Sequence, residues 1–331
     1  MNTALYLASL SLPNLITRLP GGVAQGIIWG IMALGLYITF RLLDIADLTV
    51  DGSFATGGAV TVMLIIAGYP AYVALIVAVI TGMLAGLCTG LLHTKLGIPA
   101  ILAGILTQFA LYSVNLRIMG MSANKPANPD VYNLLISMRS IPSAILKGLL
   151  FAALIIAALY WYFGTEQGSA IRATGSNPAM SRAQGININN MKLIGLSLSN
   201  GAVALSGGLM AQYQGFADVN MGRGAIVIGL AAVIIGMVLG EVIFKKRFNF
   251  VAKLSFTVLG AVIYFIVLRI VILIGLSTDN TKLFSAIIVA VFLAVPYLKS
   301  QYAASFSKAG KKSAEYLKSA GKTAQQAKEE V

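Results

Sequence analysis

"PAYVALIVAVITGMLAGLCTGLL", residues 70–92, decides the fold class because no charged side chain interrupts it. An apolar run of about 18 or more residues is long enough to cross a bilayer as a helix. Glycine recurs within it at every fourth position, as Gly82, Gly86 and Gly90. This spacing lets helix backbones approach closely in lipid, where no hydrophobic effect drives their association. The stretch therefore predicts a spanning helix packed tightly within a bundle.

The rest of the chain has the same character. Of its 331 residues, 58% are hydrophobic and 11% are charged, whereas soluble domains average about 25% charged residues. We predict an all-α, polytopic transmembrane bundle of about 8 to 10 spans. The predicted spans are 21–40, 46–68, 70–92, 98–117, 143–163, 191–212, 224–243, 253–275 and 282–297. Residues 1–20, with Pro13 and no cleavable signal, are predicted to form an interfacial helix before the first span.

The positions of the basic residues predict the orientation. The chain has 24 Lys and Arg and a net charge of +13, and cytoplasmic loops of membrane proteins are enriched in these residues. With a cytoplasmic C-terminus, sixteen basic residues fall on the inner side and eight on the outer side. Seven of the sixteen are tail lysines, so the cluster "KKRFNFVAK" (245–253) carries most of the remaining bias. We expect the N-terminus outside and the C-terminus in the cytoplasm.

The sequence does not predict an enzyme. One cysteine (Cys88) and one histidine (His93) are too few for a zinc site or a disulfide framework. No nucleophile is paired with a positioned base. We therefore assign no catalytic residue and no metal ligand. Movement of a solute across the membrane is the natural task for many packed spans with sparse polarity.

The predicted inner loop, about 164–192, contains the stretch "NPAMSRAQG" (177–185). Asn177 is a predicted N-cap, Pro178 suits the first helical position, and Gly185 suits a helix stop. A capped helix in a cytoplasmic loop is a candidate docking element. The predicted outer loop, about 115–143, is the other connection too long for a simple turn.

The inner loop resembles the permease subunits of ABC importers that include the branched-chain amino acid and ribose transporters. The resemblance rests on an Arg-Ala pair followed by Gly, Asn, Ala and Gly-Ile, and then on a span and a turn that contains a Gly-Gly pair. The matching residues are Arg172, Ala173, Gly175, Asn177, Ala179, Gly185 and Ile186, then Gly207 and Gly208. The likeness extends from about residue 20 to 297.

The resemblance implies a coupling helix that sits in a cleft of an ATPase subunit. The coupling residues would be Arg172, Ala173, Gly175, Asn177, Pro178, Ala179, Arg182 and Gly185. It also implies the partners: two ATPase subunits, a second permease copy (the same chain or a close paralogue) and an external solute-binding protein. That protein is expected to dock on the 118–142 loop and on a helix near "YQGFADVNMGRG" (213–224). This chain itself would hold no cofactor, since ATP and Mg would be bound by the ATPase. The expected location is the bacterial cytoplasmic membrane.

"RLLDIADLTVDGSF" (41–54) carries three aspartates, Asp44, Asp47 and Asp51, beside a predicted span that "VDGSFATGG" (50–58) interrupts. Three interpretations are open. The carboxylates cap the second span, line a polar vestibule on one helix face at i, i+3 and i+7, or bind a coupling ion in a broken helix. The candidate translocation-path residues are Asp44, Asp47, Thr49, Asp51, Gly52 and Ser53.

The same stretch bears on the substrate. "DLTVDGS" (47–53) resembles the Asp-Leu-Ser-Val-Gly-Ser sequence of ribose-type permeases, with Asp51 as an insertion. "DLTVDGSF" is most similar to the family branch associated with tryptophan and tyrosine uptake, which implies an amino acid substrate and, within that branch, an aromatic one. The alternative function is a stand-alone ion-coupled secondary transporter or channel.

Two domains are predicted. Residues 1–297 form the permease domain and residues 298–331 form a basic cytoplasmic tail. The tail has an alanine-rich helical face, which suits either contact with the anionic inner leaflet or a solvated helix.

Overall fold

The computed structural model describes residues 12–244, 249–273, 283–292 and 294. Contacts divide the chain into one unit over Met1–Ala286 and a second over Ile287–Val331. The predicted tail, 298–331, lies outside the described residues. The elements are α1 (Leu12–Leu36, continued as a π-helix over Tyr37–Leu42), α2 (Val50–Ile66), α3 (Ala71–Thr94), α4 (Ala100–Ile118), β1 (Asn124–Pro126), α5 (Ile141–Phe163), α6 (Glu166–Ser176), α7 (Pro178–Ala183), α8 (Ile188–Gln214), β2 (Phe216–Asp218), α9 (Ala225–Phe244), α10 (Phe250–Leu273) and α11 (Leu283–Phe292).

The helices confirm the predicted fold class. Among the described residues, 7 helices are long and apolar enough to cross a membrane, and each coincides with a predicted span. The other two predicted spans, the second and the last, correspond to the shorter helices α2 and α11. The predicted interfacial helix is not separate over its described part. From Leu12 onward it is continuous with the first span, and Pro20 lies inside α1.

The interruption of the second span lies earlier in the chain than predicted. Helix α2 is continuous through all of its glycines, and the irregular segment is Leu43–Thr49. The backbone of Asp44 has a φ of 55°, in the left-handed region that Asp tolerates better than most residues. The amide of Leu43 donates to the Ile38 carbonyl oxygen at 3.0 Å. The first span therefore ends in a left-handed stop at Asp44, rather than the second span breaking at its glycines.

Two contacts define the two ends of the bundle. Strand β1, which follows α4, pairs antiparallel with β2, which follows α8. We call the end that carries these strands the ladder side. A Cβ added to Gly175 in α6 would lie closer than 3.0 Å to the Leu42 carbonyl oxygen. The connections after α1 and α5 therefore share the opposite end, which we call the loop side.

Helices α1 and α8 form the centre of the bundle, and both are mostly buried. The predicted role of Gly82, Gly86 and Gly90 in close packing is confirmed. Gly82, Gly86 and Gly90 of α3 all face α8, and Gly26 and Gly30 of α1 face α10. Helices α4 and α5 expose most of their surface, so lipid or another subunit must cover their apolar side chains.

Candidate functional site

The predicted helix of the loop side is present and is capped as the sequence indicates. Asn177 precedes α7, and its side-chain oxygen accepts a hydrogen bond from the Met180 amide at 3.0 Å. Pro178 occupies the first turn. Gly185 follows the helix with a φ of +82°, and the next amide donates to the Ser181 carbonyl oxygen at 3.0 Å. These are the bonds that fix a short helix at both ends.

Helix α7 lies on the surface of the loop side. Of its six residues, only Ser181 is buried, and Met180 is 57% exposed. The predicted coupling residues Pro178, Ala179 and Arg182 are all exposed. A helix this short gains little stability from its own hydrogen bonds, so the caps at its two ends are what hold it in shape. The side chains that they hold in place are exposed and are not part of the core.

The preceding helix α6 anchors α7 to the bundle. Gly175 packs on the Leu42 carbonyl oxygen, and a Cβ there would clash with the backbone. The Ala173 carbonyl oxygen accepts the Asn177 amide at 2.9 Å. Arg172 is exposed on the same helix, and its guanidinium carbon lies 6.0 Å from the centre of the Phe250 ring. The structure therefore places Gly175, one of the predicted coupling residues, directly against the start of the segment with the three aspartates.

The three aspartates do not share a helix face, because Leu43–Thr49 is not helical. The predicted i, i+3, i+7 stripe is therefore wrong. Asp44 is exposed and forms the left-handed stop, Asp47 is 1% exposed, and Asp51 lies in the first turn of α2. Each carboxylate has a different environment and a different task.

Asp47 belongs to a buried polar cluster with Asn200 of α8. One carboxylate oxygen accepts the Thr49 amide at 2.9 Å, and the other accepts the Asn200 side-chain amide at 2.7 Å. The Asn200 oxygen in turn accepts the Ser53 hydroxyl at 2.6 Å. Asn200 lies twelve residues into the 27-residue helix α8, or about 18 Å from its start. Burial of a carboxylate at this depth requires such hydrogen bonds.

Threonine hydroxyl groups continue this cluster toward α3 and α4. The Thr49 hydroxyl lies 2.6 Å from that of Thr89, which donates to Thr107 at 2.9 Å. The predicted path residues Asp47, Thr49 and Ser53 therefore face buried partners in this conformation. Their part in the passage of solute stays a prediction.

Asp51 caps a helix, but not the helix that contains it. Its two carboxylate oxygens accept the backbone amides of Gly224 at 2.9 Å and Ile226 at 3.0 Å. These amides belong to the N-terminus of α9, 173 residues or more further along the chain. The orphan donors and the dipole at a helix start both favour a carboxylate. The expected role as a cap on α2 is corrected: Asp51 joins α2 to α9.

The Asp51 contacts predict a graded effect of substitution. Asp51→Asn keeps one acceptor oxygen for the two α9 amides, whereas Asp51→Ala keeps none. Loss of a cap costs about 0.5–2 kcal/mol, so we expect Asn to lower the thermal stability of the purified protein less than Ala. Asp44→Asn is the matched control, because the Asp44 carboxylate is exposed and Asn also tolerates the left-handed region. An equal loss of stability for Asp51→Asn and Asp51→Ala would contradict this assignment.

Asp51 and Gly52 also line a cavity of about 420 Å³ on the lateral surface of the bundle, beside α4. Helix α4 contributes residues that the sequence analysis missed, including Gln108, Tyr112 and Asn115. Their i, i+4, i+7 spacing in an apolar helix was the available signal, because polar side chains in a span face the bundle or water. Asn200 gives the same signal, a polar side chain in the middle of the apolar helix α8, and was also missed.

The ladder side carries the segments predicted to meet a binding protein. The 213–224 segment is not a helix: it contains the end of α8, strand β2 and turns. The three-residue strands were missed because they are too short to show alternation. In the 118–142 loop, Arg139 forms an exposed ion pair with Asp130. The Arg139 guanidinium lowers the pKa of the Asp130 carboxyl, first by hydrogen bonding.

Comparison with known proteins gives an extensive match. A family profile described as the permease component of the branched-chain amino acid transport system covers residues 19–296. The tyrosine transport system permease protein of Clostridioides difficile (strain R20291) is 39% identical over 272 residues, which are 82% of this chain and 89% of that one. An uncharacterized protein of Rickettsia prowazekii (strain Madrid E) is 35% identical over 81% of this chain and 94% of its own length.

A more distant relative is the ribose import permease protein RbsC of Escherichia coli (strain K12). It is 28% identical over 183 residues, which are 54% of this chain and 56% of that one. The family profile spans nearly all of the described helices, and the helices have the lengths and apolarity of membrane spans. The chain is therefore an integral membrane protein that belongs to the family of permease components of branched-chain amino acid transport systems.

Proposed function

We propose that this permease is the membrane subunit of an ATP-driven importer that moves an amino acid, with an aromatic side chain preferred, into the cell by alternating access. Separate ATPase subunits bind ATP and Mg, and this chain has no hydrolytic role and no cofactor of its own. The observation that carries this proposal is α7, an exposed helix that is capped at both ends. It is held in place by α6, which packs against Leu42 through Gly175.

This geometry suits mechanical coupling. A partner that binds α7 displaces α6, and α6 contacts the end of α1 through Gly175 without an intervening side chain. The segment that starts at Leu42 leads within nine residues to Asp51 and hence to the N-terminus of α9. Packed backbone contacts of this kind transmit a displacement rather than absorb it. A secondary transporter working alone has no use for such an exposed helix.

The same surfaces support the proposed partners and orientation. The loop side carries Arg172 of α6 and Arg182 of α7. It faces the cytoplasm, where two ATPase subunits bind two permease copies. The ladder side faces outward and receives the solute-binding protein. The N-terminus is then outside and the C-terminus inside the bacterial cytoplasmic membrane. The relatives support the substrate class, since the tyrosine transport permease is 39% identical over 82% of this chain, whereas the ribose import permease is 28% identical over 54%.

Reconstituted transport tests the proposed function. The permease is placed in liposomes with the ATPase and the binding protein of its own transport system, and uptake of radiolabelled tyrosine, leucine and ribose is measured. We expect accumulation of tyrosine that requires ATP on the ATPase side and persists when ionophores collapse proton and sodium gradients. The matched control is an ATPase that binds but does not hydrolyse ATP.

Two results would contradict the proposal. Gradient-driven uptake by the permease alone, without ATPase, would identify a secondary transporter. ATP-dependent uptake of ribose but of neither amino acid would retain the importer and overturn the substrate class.

A further inference from the structure

The lateral cavity beside Asp51 has the composition of a binding site for a small polar solute. It lies between the start of α2, the middle of α4 and the turn that follows β2, and its volume is about 420 Å³. Small-molecule sites commonly have volumes of about 300–1,000 Å³. The cavity is therefore large enough for an amino acid and too small for a peptide of appreciable length.

Three polar atoms of two amide side chains on the cavity have no hydrogen-bond partner among the described residues. Asn115 is 1% exposed, yet neither its side-chain nitrogen nor its side-chain oxygen is paired. The side-chain oxygen of Asn220, on the opposite wall, is also unpaired. A buried polar group left without a partner is destabilising, because it has lost its hydrogen bonds to water. Asn115 and Asn220 both line the cavity, so a solute that enters it can supply the missing partners.

The cavity is lined by one acidic and one basic side chain, Asp51 and Arg223. The Asp51 carboxylate is already bound to the α9 amides. Arg223 also lines the cavity and is exposed, and it forms no ion pair with any residue in the described ranges. A guanidinium offers paired donors that match a carboxylate. The cavity therefore favours a carboxylate-bearing ligand over a neutral sugar.

Aromatic side chains form the mouth of the cavity. Phe109 is 71% exposed and Tyr112 is 42% exposed, and both line it. Exposed rings beside a polar site provide an apolar surface on which another ring can stack. Because a polar stripe in a span does not face lipid, this side of α4 faces a water-filled passage or a second subunit.

We propose that this cavity binds the transported solute in transit, and that its ligand is a free amino acid with an aromatic side chain. Arg223 and the Asn115 amide nitrogen hold the carboxylate, the Asn115 and Asn220 oxygens accept from the ammonium group, and Phe109 and Tyr112 contact the ring. This inference rests on the proposed function, because the bound ligand is the solute that the importer carries. The binding itself requires neither ATP nor the binding protein.

Equilibrium binding of radiolabelled L-tyrosine to the purified permease–ATPase complex, without binding protein, tests the site. We expect saturable binding that unlabelled tyrosine displaces and that tyramine, which lacks the carboxylate, does not. Arg223→Ala should weaken binding at least 10-fold, and Arg223→Lys should weaken it less. Arg117→Ala is the matched control, because Arg117 is an exposed arginine on α4 that does not line the cavity.

Asn115→Leu separates ligand binding from a structural role. Because both polar atoms of Asn115 lack partners, its replacement by leucine should leave thermal stability unchanged or raise it, while tyrosine binding weakens at least 10-fold. A fall in stability with unchanged tyrosine binding would overturn the assignment of Asn115 and with it the site.

The two hypotheses fail in different ways. ATP-driven tyrosine uptake by the complete transporter, without saturable tyrosine binding to the permease–ATPase complex, would overturn the cavity and leave the proposed function. Tyrosine binding that Arg223→Ala removes, without ATP-driven uptake of any amino acid, would overturn the proposed function and leave the cavity as a carboxylate site. Binding that tyramine displaces as well as tyrosine does would show that Arg223 is not the recognition group.

Discussion

Replacing residues 177–184 with a Gly/Ser linker of equal length should abolish solute uptake while the ATPase subunits continue to hydrolyse ATP. The replaced residues are the N-cap, the six residues of α7 and the residue that follows them. A Gly/Ser linker behaves as a flexible coil, so a force applied to it is not passed to α6 or Leu42. The measurement is the ratio of solute transported to ATP hydrolysed in liposomes, which we expect to fall to the background level.

Single substitutions at the cap give a finer version of this experiment. Asn177→Ser retains a side-chain acceptor for the Met180 amide, whereas Asn177→Ala removes it at a cost of about 1 kcal/mol. Because α7 is short and exposed, this cost falls on the helix itself. We expect partial uncoupling with Ala and near-normal coupling with Ser. Normal uptake by the linker variant would show that α7 is not the coupling element.

Gly57→Ala should destabilise the bundle severely. A Cβ at Gly57 in α2 would lie closer than 3.0 Å to the carbonyl oxygen, carbonyl carbon and Cα of Ala204 in α8. Backbone atoms of a central helix cannot move aside as a flexible side chain does, so the two helices must separate. Overpacking commonly costs about 1–3 kcal/mol, and we expect the upper part of that range or more. Thermal unfolding of the purified protein in detergent measures the loss.

Gly21→Ala is the matched control for this prediction. Gly21 lies in α1, and a Cβ there would meet only the Tyr213 hydroxyl oxygen at 3.7 Å and an Ile141 methyl at 3.9 Å. Alanine has a higher helix propensity than glycine by about 1 kcal/mol, so Gly21→Ala should leave the unfolding temperature unchanged or raise it. Similar unfolding temperatures for the two variants would contradict the packing of α2 on α8.

The predicted spans and the capped helix α7 were readable from the sequence because both depend on local chemistry. A run of apolar residues crosses a bilayer whatever its neighbours are. Asn177, Pro178 and Gly185 define α7 through bonds within ten residues. The resemblance to a permease family rested on the same loop, and the family match confirmed it.

The aspartates of residues 41–54 were less predictable, since a helical spacing has meaning only where the backbone is helical. Asp44 stops the helix, so the pattern that it begins does not continue to Asp47. The binding partner of Asp47 is Asn200, which no local pattern identifies. The polar side of α4 was visible in the sequence as residues spaced i, i+4 and i+7. The unpaired state of Asn115 is visible only in the packed bundle.

By itself the sequence determined that this chain is a helical membrane protein with a capped helix between two spans, because span length, capping and helix stops are set by neighbouring residues. Only the tertiary structure decided what the carboxylates do. Asp51 is in the first turn of one helix and serves as the cap of another, 173 residues away from its nearer amide partner. A helix start accepts a carboxylate from any part of the chain that packs beside it, so the packing of α2 against α9 selects the partner.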